Sequence, residues 1–157
     1  MGGRPEASDG GDPAHESALS AADHEFLRRL ERAELVGHEF GHRQHLRMAW
    51  LYTRLYGPEA AEERAAQGIR DLASRHGAAR KYHDTLTRAW VRAVVHHAVQ
   101  GGPIRDFDAF VDRFPALLSG DLILRHYLIL RHYSPEVLWS EEARSRWVEP
   151  DIAALRG

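Results

Sequence analysis

Three histidines open the most apolar stretch of the chain. They are His38, His42 and His45, within VGHEFGHRQHLRMAWLYTRLY over residues 36–56. A helix advances about 100° per residue, so His38 and His42 would lie roughly 40° apart, and His42 and His45 roughly 60° apart. Three imidazoles would then share one face. A second polar patch, Lys81-Tyr82-His83-Asp84-Thr85-Leu86-Thr87, opens another amphipathic segment. A histidine pair at i,i+3 joined by a third from a facing helix makes a three-nitrogen site. Zinc, copper, iron or nickel would suit it, with the fourth position open to water or substrate. The expected ligands of this divalent metal are His42, His45 and His83, with His38 as a further candidate. Tyr82, Lys81 and Thr87 are the expected catalytic or substrate-facing groups, and Thr85 joins them as a donor. Lys81 would serve as a cation for an anionic substrate or, if desolvated, as an amine nucleophile. Glu39 and Asp84 are carboxylates able to fix an imidazole tautomer.

The string His38-Glu39-Phe40-Gly41-His42 also satisfies H-E-x-x-H. On a continuous helix that pattern binds zinc through its two histidines, and the glutamate activates a metal-bound water. It gives a zinc hydrolase, with Glu39 as general base, as an alternative reading. The likeness to zinc metalloproteases stops there. The longer metzincin pattern needs glycine where His45 stands and histidine where Met48 stands. No strand pattern supplies a substrate-binding edge.

Phe40-x-His42-x-x-His45-Leu46-x-x-Ala49-Trp50, followed by Lys81-Tyr82-His83-x-Thr85-x-Thr87, resembles a pattern shared by small helical bacterial proteins of unassigned function. The resemblance runs through the folded part to Trp147-Val148-Glu149-Pro150-Asp151. It implies that Gly41 starts a helix, that His42 and His45 point from its first turn, and that His38 and Glu39 are loop residues. H-E-x-x-H would then be accidental. The resemblance implies neither an activity nor a ligand set.

Each histidine also has a structural reading. His42 and His45 could bond backbone at a helix start, and His83 could be a satisfied core residue. His96 and His97 near a helix C-terminus would favour the local dipole. His126 and His132 are expected to pair with carboxylates near the tail, and His15, His24 and His76 to be solvated.

Composition sets the frame for positioning these groups. The chain has 157 residues, 43% hydrophobic and 28% charged, with a formal charge of -2, no cysteine and eleven histidines. That length is one domain with a real core. The charge argues against a nucleic-acid partner. Absence of cysteine excludes disulfides and thiolate metal sites, and a cytoplasmic home is the default. No apolar run would span a bilayer, so no membrane is expected, and the first residues lack the hydrophobic core of a secretory signal. Arginine far outnumbers lysine, with Lys81 alone, which points to a GC-rich bacterial genome. The oligomeric state is open.

Residues 1–18 are expected to be a disordered tail, and 19–157 a single helical domain. From a Ser20 N-cap, a first helix faces Phe26, Leu27, Leu30 and Leu35 inward. After a turn near 36–41 comes a helix over about 42–56, apolar nearly all round and therefore central. Gly57-Pro58 ends it and starts a third helix, which Gly77 ends. A fourth is expected from about Ala79 to Gln100, broken by Gly101-Gly102-Pro103, then a short phenylalanine-anchored helix near 106–114. LILRHY occurs twice over 122–133 and reads as a chance duplication. Ser134-Pro135 and Ser140 carry further start signals, and Trp147 and Ile152 are expected to pack the tail across the bundle. The fold class is all-α, a compact bundle of five to seven helices. The leading function is a metal-dependent enzyme on a small polar molecule. A non-enzymatic helical module binding a ligand or partner is the reading from another class.

Overall fold

In the computed structural model, the described residues are 19–36, 39–118 and 129–155. The expected disordered tail, His38 and the first LILRHY copy with its His126 lie outside them. The architecture is all-α, and no strand occurs among the described residues. Eight helices are present there: α1 (Ala21–Glu31), α2 (His42–Tyr56), α3 (Pro58–Arg75), α4 (Asp84–Gln100), α5 (Phe107–Arg113), α6 (Ile129–His132), α7 (Pro135–Leu138) and α8 (Glu141–Ser145). The count exceeds five to seven because α6, α7 and α8 are single turns. Serine caps on α7 and α8 suffice to define them, with Ser134 Oγ accepting from the Val137 N–H and Ser140 Oγ from the Ala143 N–H.

α1 begins with a capping box, in which Ser20 Oγ accepts from the Asp23 N–H at 3.1 Å and the Asp23 carboxylate accepts from the Ser20 N–H at 3.4 Å. Its inward residues Phe26, Leu27 and Leu30, and Leu35 beyond it, are all buried. α2 is the centre, burying Leu46, Met48, Ala49, Trp50, Leu51 and Tyr52, so it meets neighbours on nearly every side. The chain turns between α2 and α3 at Gly57, whose φ of 85° lies in the region only glycine enters without strain. α3 and α4 then pack on α2 and on each other. The three enclose one core with α1 and α5, where Trp50 meets the rings of Phe107 and Phe110 at 6.0 Å each.

A smaller core forms on the outer side of α4. Ala89 and Ala93 there meet Ile129, Tyr133 and Leu138. The buried Tyr133 donates its hydroxyl to the Val148 carbonyl at 2.5 Å, and Trp147 stands edge-on to its ring. Trp147 packs as expected. Ile152 does not; it is 60% exposed, and the tail is held there by its N–H donating to the His132 carbonyl at 2.9 Å. No helix among the described residues is long and apolar enough to cross a membrane.

The fourth helix starts later than its periodicity suggests. Ala79–Lys81 is a short 3-10 turn, Tyr82 and His83 are extended, and α4 begins at Asp84. The shift of five residues matters to the site, because it puts the Lys81-Tyr82-His83 patch in the entry loop instead of on the helix.

Glycine inside α3 gives a test of the packing. A Cβ at Gly68 would lie 3.7 Å from Leu30 Cγ, an ordinary contact, whereas one at Gly101 would lie 3.0 Å from Phe114 Cε2 and the His97 carbonyl. Gly68→Ala should therefore raise unfolding stability by about 1 kcal/mol, from helix propensity and an added contact, while Gly101→Ala lowers it. Denaturant midpoints of the two variants check both signs.

Candidate functional site

A cavity of about 360 Å³ opens between the start of α2, the second half of α3 and the entry to α4. Its polar wall is His42, Lys81, Tyr82, His83 and Thr87, five residues drawn from both sequence patches. Ile69, Ala73, Ala78, Leu86 and Trp90 form the rest. The two patches therefore meet. What their atoms are free to do differs residue by residue.

His83 is 5% exposed and caps α4. Its Nδ1 accepts from the Leu86 N–H at 3.0 Å, and its Nε2 lies 2.6 Å from the Leu138 carbonyl. A carbonyl only accepts and an N–H only donates, so the ring is the neutral Nε2–H tautomer with both nitrogens in use. As placed, His83 has no lone pair left for a metal. The Trp139 ring stands edge-on to it at 5.7 Å.

His42 is the first residue of α2, and its Nε2–H donates to the Leu117 carbonyl at 2.7 Å. In the neutral ring this leaves Nδ1 as the nitrogen with an available lone pair. His45, one turn on, sits between Phe40 at 4.3 Å and Trp90 at 5.6 Å between ring centroids. Its nitrogens make no hydrogen bond among the described residues. Burial first, and then the neighbouring charge of His42, pull its pKa down to about 4. His45 is therefore neutral near pH 7.

Asp84 is 3% exposed and accepts from the Tyr82 hydroxyl at 2.6 Å, from Arg70 at 2.9 Å and from Arg88 at 2.9 Å. It holds arginines and a phenol, and no imidazole. Burial, then the hydrogen bond and charge of Asp84, push the Tyr82 hydroxyl above the ordinary phenol range, so it is held as a donor to that carboxylate. Burial alone would lower Arg88, but hydrogen bonds to Glu63 and Asp84 leave it raised and cationic. Thr85 is also committed: its hydroxyl donates to the Arg146 carbonyl at 2.8 Å and accepts from the Val148 N–H at 3.1 Å.

Lys81 is exposed at the rim, and its ammonium makes no ion pair among the described residues. Thr87 is 7% exposed and its hydroxyl has no hydrogen-bond partner there. No sealed side-chain polar atom lacks a partner, so that hydroxyl is reached by solvent, and Thr87 lines the cavity.

Glu39 stands apart from this wall. It precedes α2, and its carboxylate accepts from Arg29 at 2.7 Å and from the Val36 N–H at 3.2 Å. Because the helix begins at His42, the continuous helical turn that H-E-x-x-H requires is not formed by the described residues. Among those residues no three histidine or carboxylate groups come together as a metal centre. Elsewhere, His97 Nδ1 lies 2.7 Å from the Ala93 carbonyl, His132 Nδ1 lies 2.7 Å from the Ala153 carbonyl instead of a carboxylate, and the exposed His76 reaches the Leu35 carbonyl at 2.6 Å.

Sequence reasoning missed Trp90, Ile69 and Ala73 as walls of a cavity, Arg70 and Arg88 as partners of Asp84, and His83 as a helix cap. Asp84, an acidic residue in the first turn, was the available signal for a helix start there. Family models, curated proteins and solved structures provide no match to this chain, so the site is read from its own residues.

Two measurements test this arrangement. His83→Ala removes the α4 cap and orphans the Leu138 carbonyl, and should cost about 2 kcal/mol of stability, with His83→Asn recovering part as a competent cap. For His45 the folded pKa is depressed, so the unfolded chain takes the proton more readily. Its stabilising effect is complete above the unfolded value of about 6.5 and is lost as pH falls toward 4, on the order of 2 kcal/mol for a partly buried ring. A His45→Leu variant should show a flatter stability profile between pH 7 and 4 than the parent chain.

Proposed function

We propose that the protein holds a small molecule in the α2–α4 cavity, and that His42 exchanges a proton with it. One observation supports this above the others. The fold satisfies Tyr82, His83, Asp84 and Thr85 internally, yet leaves His42 Nδ1, the Lys81 ammonium and the Thr87 hydroxyl uncommitted around one space. Fixed groups behind, free groups in front, and an apolar floor are the composition of a small-ligand site, and about 360 Å³ suits a small organic molecule.

His42 is fit for acid–base work because the Leu117 carbonyl fixes which nitrogen carries the proton. Lys81 is exposed, without the desolvation an amine nucleophile needs, so it acts as a charge. Glu39 takes no part, being paired with Arg29 away from the cavity.

A metal ion is the second reading, and His45 favours it: a neutral ring with unengaged nitrogens, three residues from His42 on one helix. Zinc, copper or iron would then take His42 and His45 as its protein nitrogens, leaving positions for water and substrate.

Thermal-shift screening against small carboxylates, phosphates, amides and sugars tests the site. Ala73→Phe fills the cavity, so a compound that raises the parent Tm by several degrees should leave this variant unmoved. His42→Gln should still bind that compound but not transform it. If no stabilising compound is sensitive to Ala73→Phe, the cavity is not the site. Stoichiometric metal in the parent chain that is lost in His45→Asn would establish the second reading, and metal-free parent protein that still turns over its ligand would remove it.

A further inference from the structure

This inference rests on the cavity being the ligand site and names what enters it. Lys81 is the one formally charged side chain on the wall among the described residues, and no Asp or Glu stands there. That is uneven for a chain with 23 acidic and 21 basic side chains. The carboxylate next to the wall, Asp84, is already saturated by Tyr82, Arg70 and Arg88. Its negative charge is spent inside the protein.

Thr87 adds a second, independent sign. A hydroxyl with no partner among the described residues, on a cavity-lining residue that is only 7% exposed, is a donor available to a ligand. α2 adds a third. It starts at His42 behind Gly41, with no capping side chain and no acidic residue in its first turn. Uncapped N–H groups leave partial positive charge at that end of the helix.

From these juxtaposed groups we infer that the ligand is an organic acid. Its oxyanion, carboxylate or phosphate, bonds the Lys81 ammonium and the Thr87 hydroxyl, and its apolar body lies against Trp90, Leu86 and Ile69. A cationic ligand would face Lys81 with no carboxylate to offset it. A neutral one would forgo the charge-assisted hydrogen bond that the ammonium can make.

Calorimetric titration of the full chain with benzoate, phenyl phosphate and neutral benzamide tests this. At least one anion should bind about tenfold more tightly than benzamide, as a charge-assisted hydrogen bond exceeds a neutral one. The tighter anion identifies which oxyanion the site prefers. Lys81→Gln and Thr87→Val should each weaken the anion several-fold and leave benzamide unchanged. Arg80→Gln, an exposed neighbour off the wall, should change neither. Anion affinity should also fall with added salt. If benzamide binds as tightly as the anions and is displaced by Ala73→Phe, the organic-acid inference fails while the cavity stands. If anions bind but ignore Lys81→Gln and Thr87→Val, the inference also fails. If no probe binds in a manner sensitive to Ala73→Phe, the cavity reading fails with it.

Discussion

A carboxylate buried among helices must be paired, and the pairing of Asp84 holds three elements in register. Its oxygens take the Tyr82 hydroxyl from the entry loop, Arg70 from α3 and Arg88 from within α4. Arg88 continues to Glu63 at 2.9 Å, so the network returns to the first turns of α3. A buried carboxylate stripped of all such partners would be an uncompensated charge, costing about 3–5 kcal/mol, and here three partners share the task. The cavity exists between these same elements. Its shape is therefore fixed by electrostatics behind the wall as much as by packing around it.

His83 extends that constraint in the other direction. Through Nδ1 it starts α4, and through Nε2 it reaches the Leu138 carbonyl in α7. Thr85 repeats the link by bonding the Arg146 carbonyl and the Val148 N–H, and Arg144 donates to the Arg80 carbonyl at 2.7 Å. The C-terminal segment is thus a brace for the loop carrying Lys81 and Tyr82. Without it the first turn of α4 would keep its His83 cap and the Asp84 pairing but lose its tie to the C-terminal segment.

Much of the bundle was legible from residue order because punctuation and periodicity agreed. Gly57-Pro58 fixes the α2–α3 junction, Ser20 fixes the start of α1, and an apolar surface on nearly every side marks α2 as central. The start of α4 was marked only by Asp84, an acidic residue in its first turn. The run AARKYHDT holds no glycine or proline, and histidine is an uncommon cap whose acceptor role depends on its tautomer. The polar members of the cavity were readable as two patches at helix starts. Its apolar members were not, since Ile69, Ala73 and Trp90 look the same in sequence whether they fill a core or line a space.

The harder part to foresee was which atoms would remain available. An imidazole has two nitrogens, and spacing along a helix says nothing about carbonyls arriving from far away in the chain. His83 loses its second nitrogen to a carbonyl 55 residues on, and His42 loses one to a carbonyl 75 residues on. His45, flanked by Phe40 and Trp90, keeps both. Three histidines that look alike as candidate ligands thus become a structural cap, a ring with one nitrogen engaged and a neutral ring in an apolar niche. The chemistry of the site follows from that division of lone pairs, because a group can act on a ligand only with the atoms that folding has left unused.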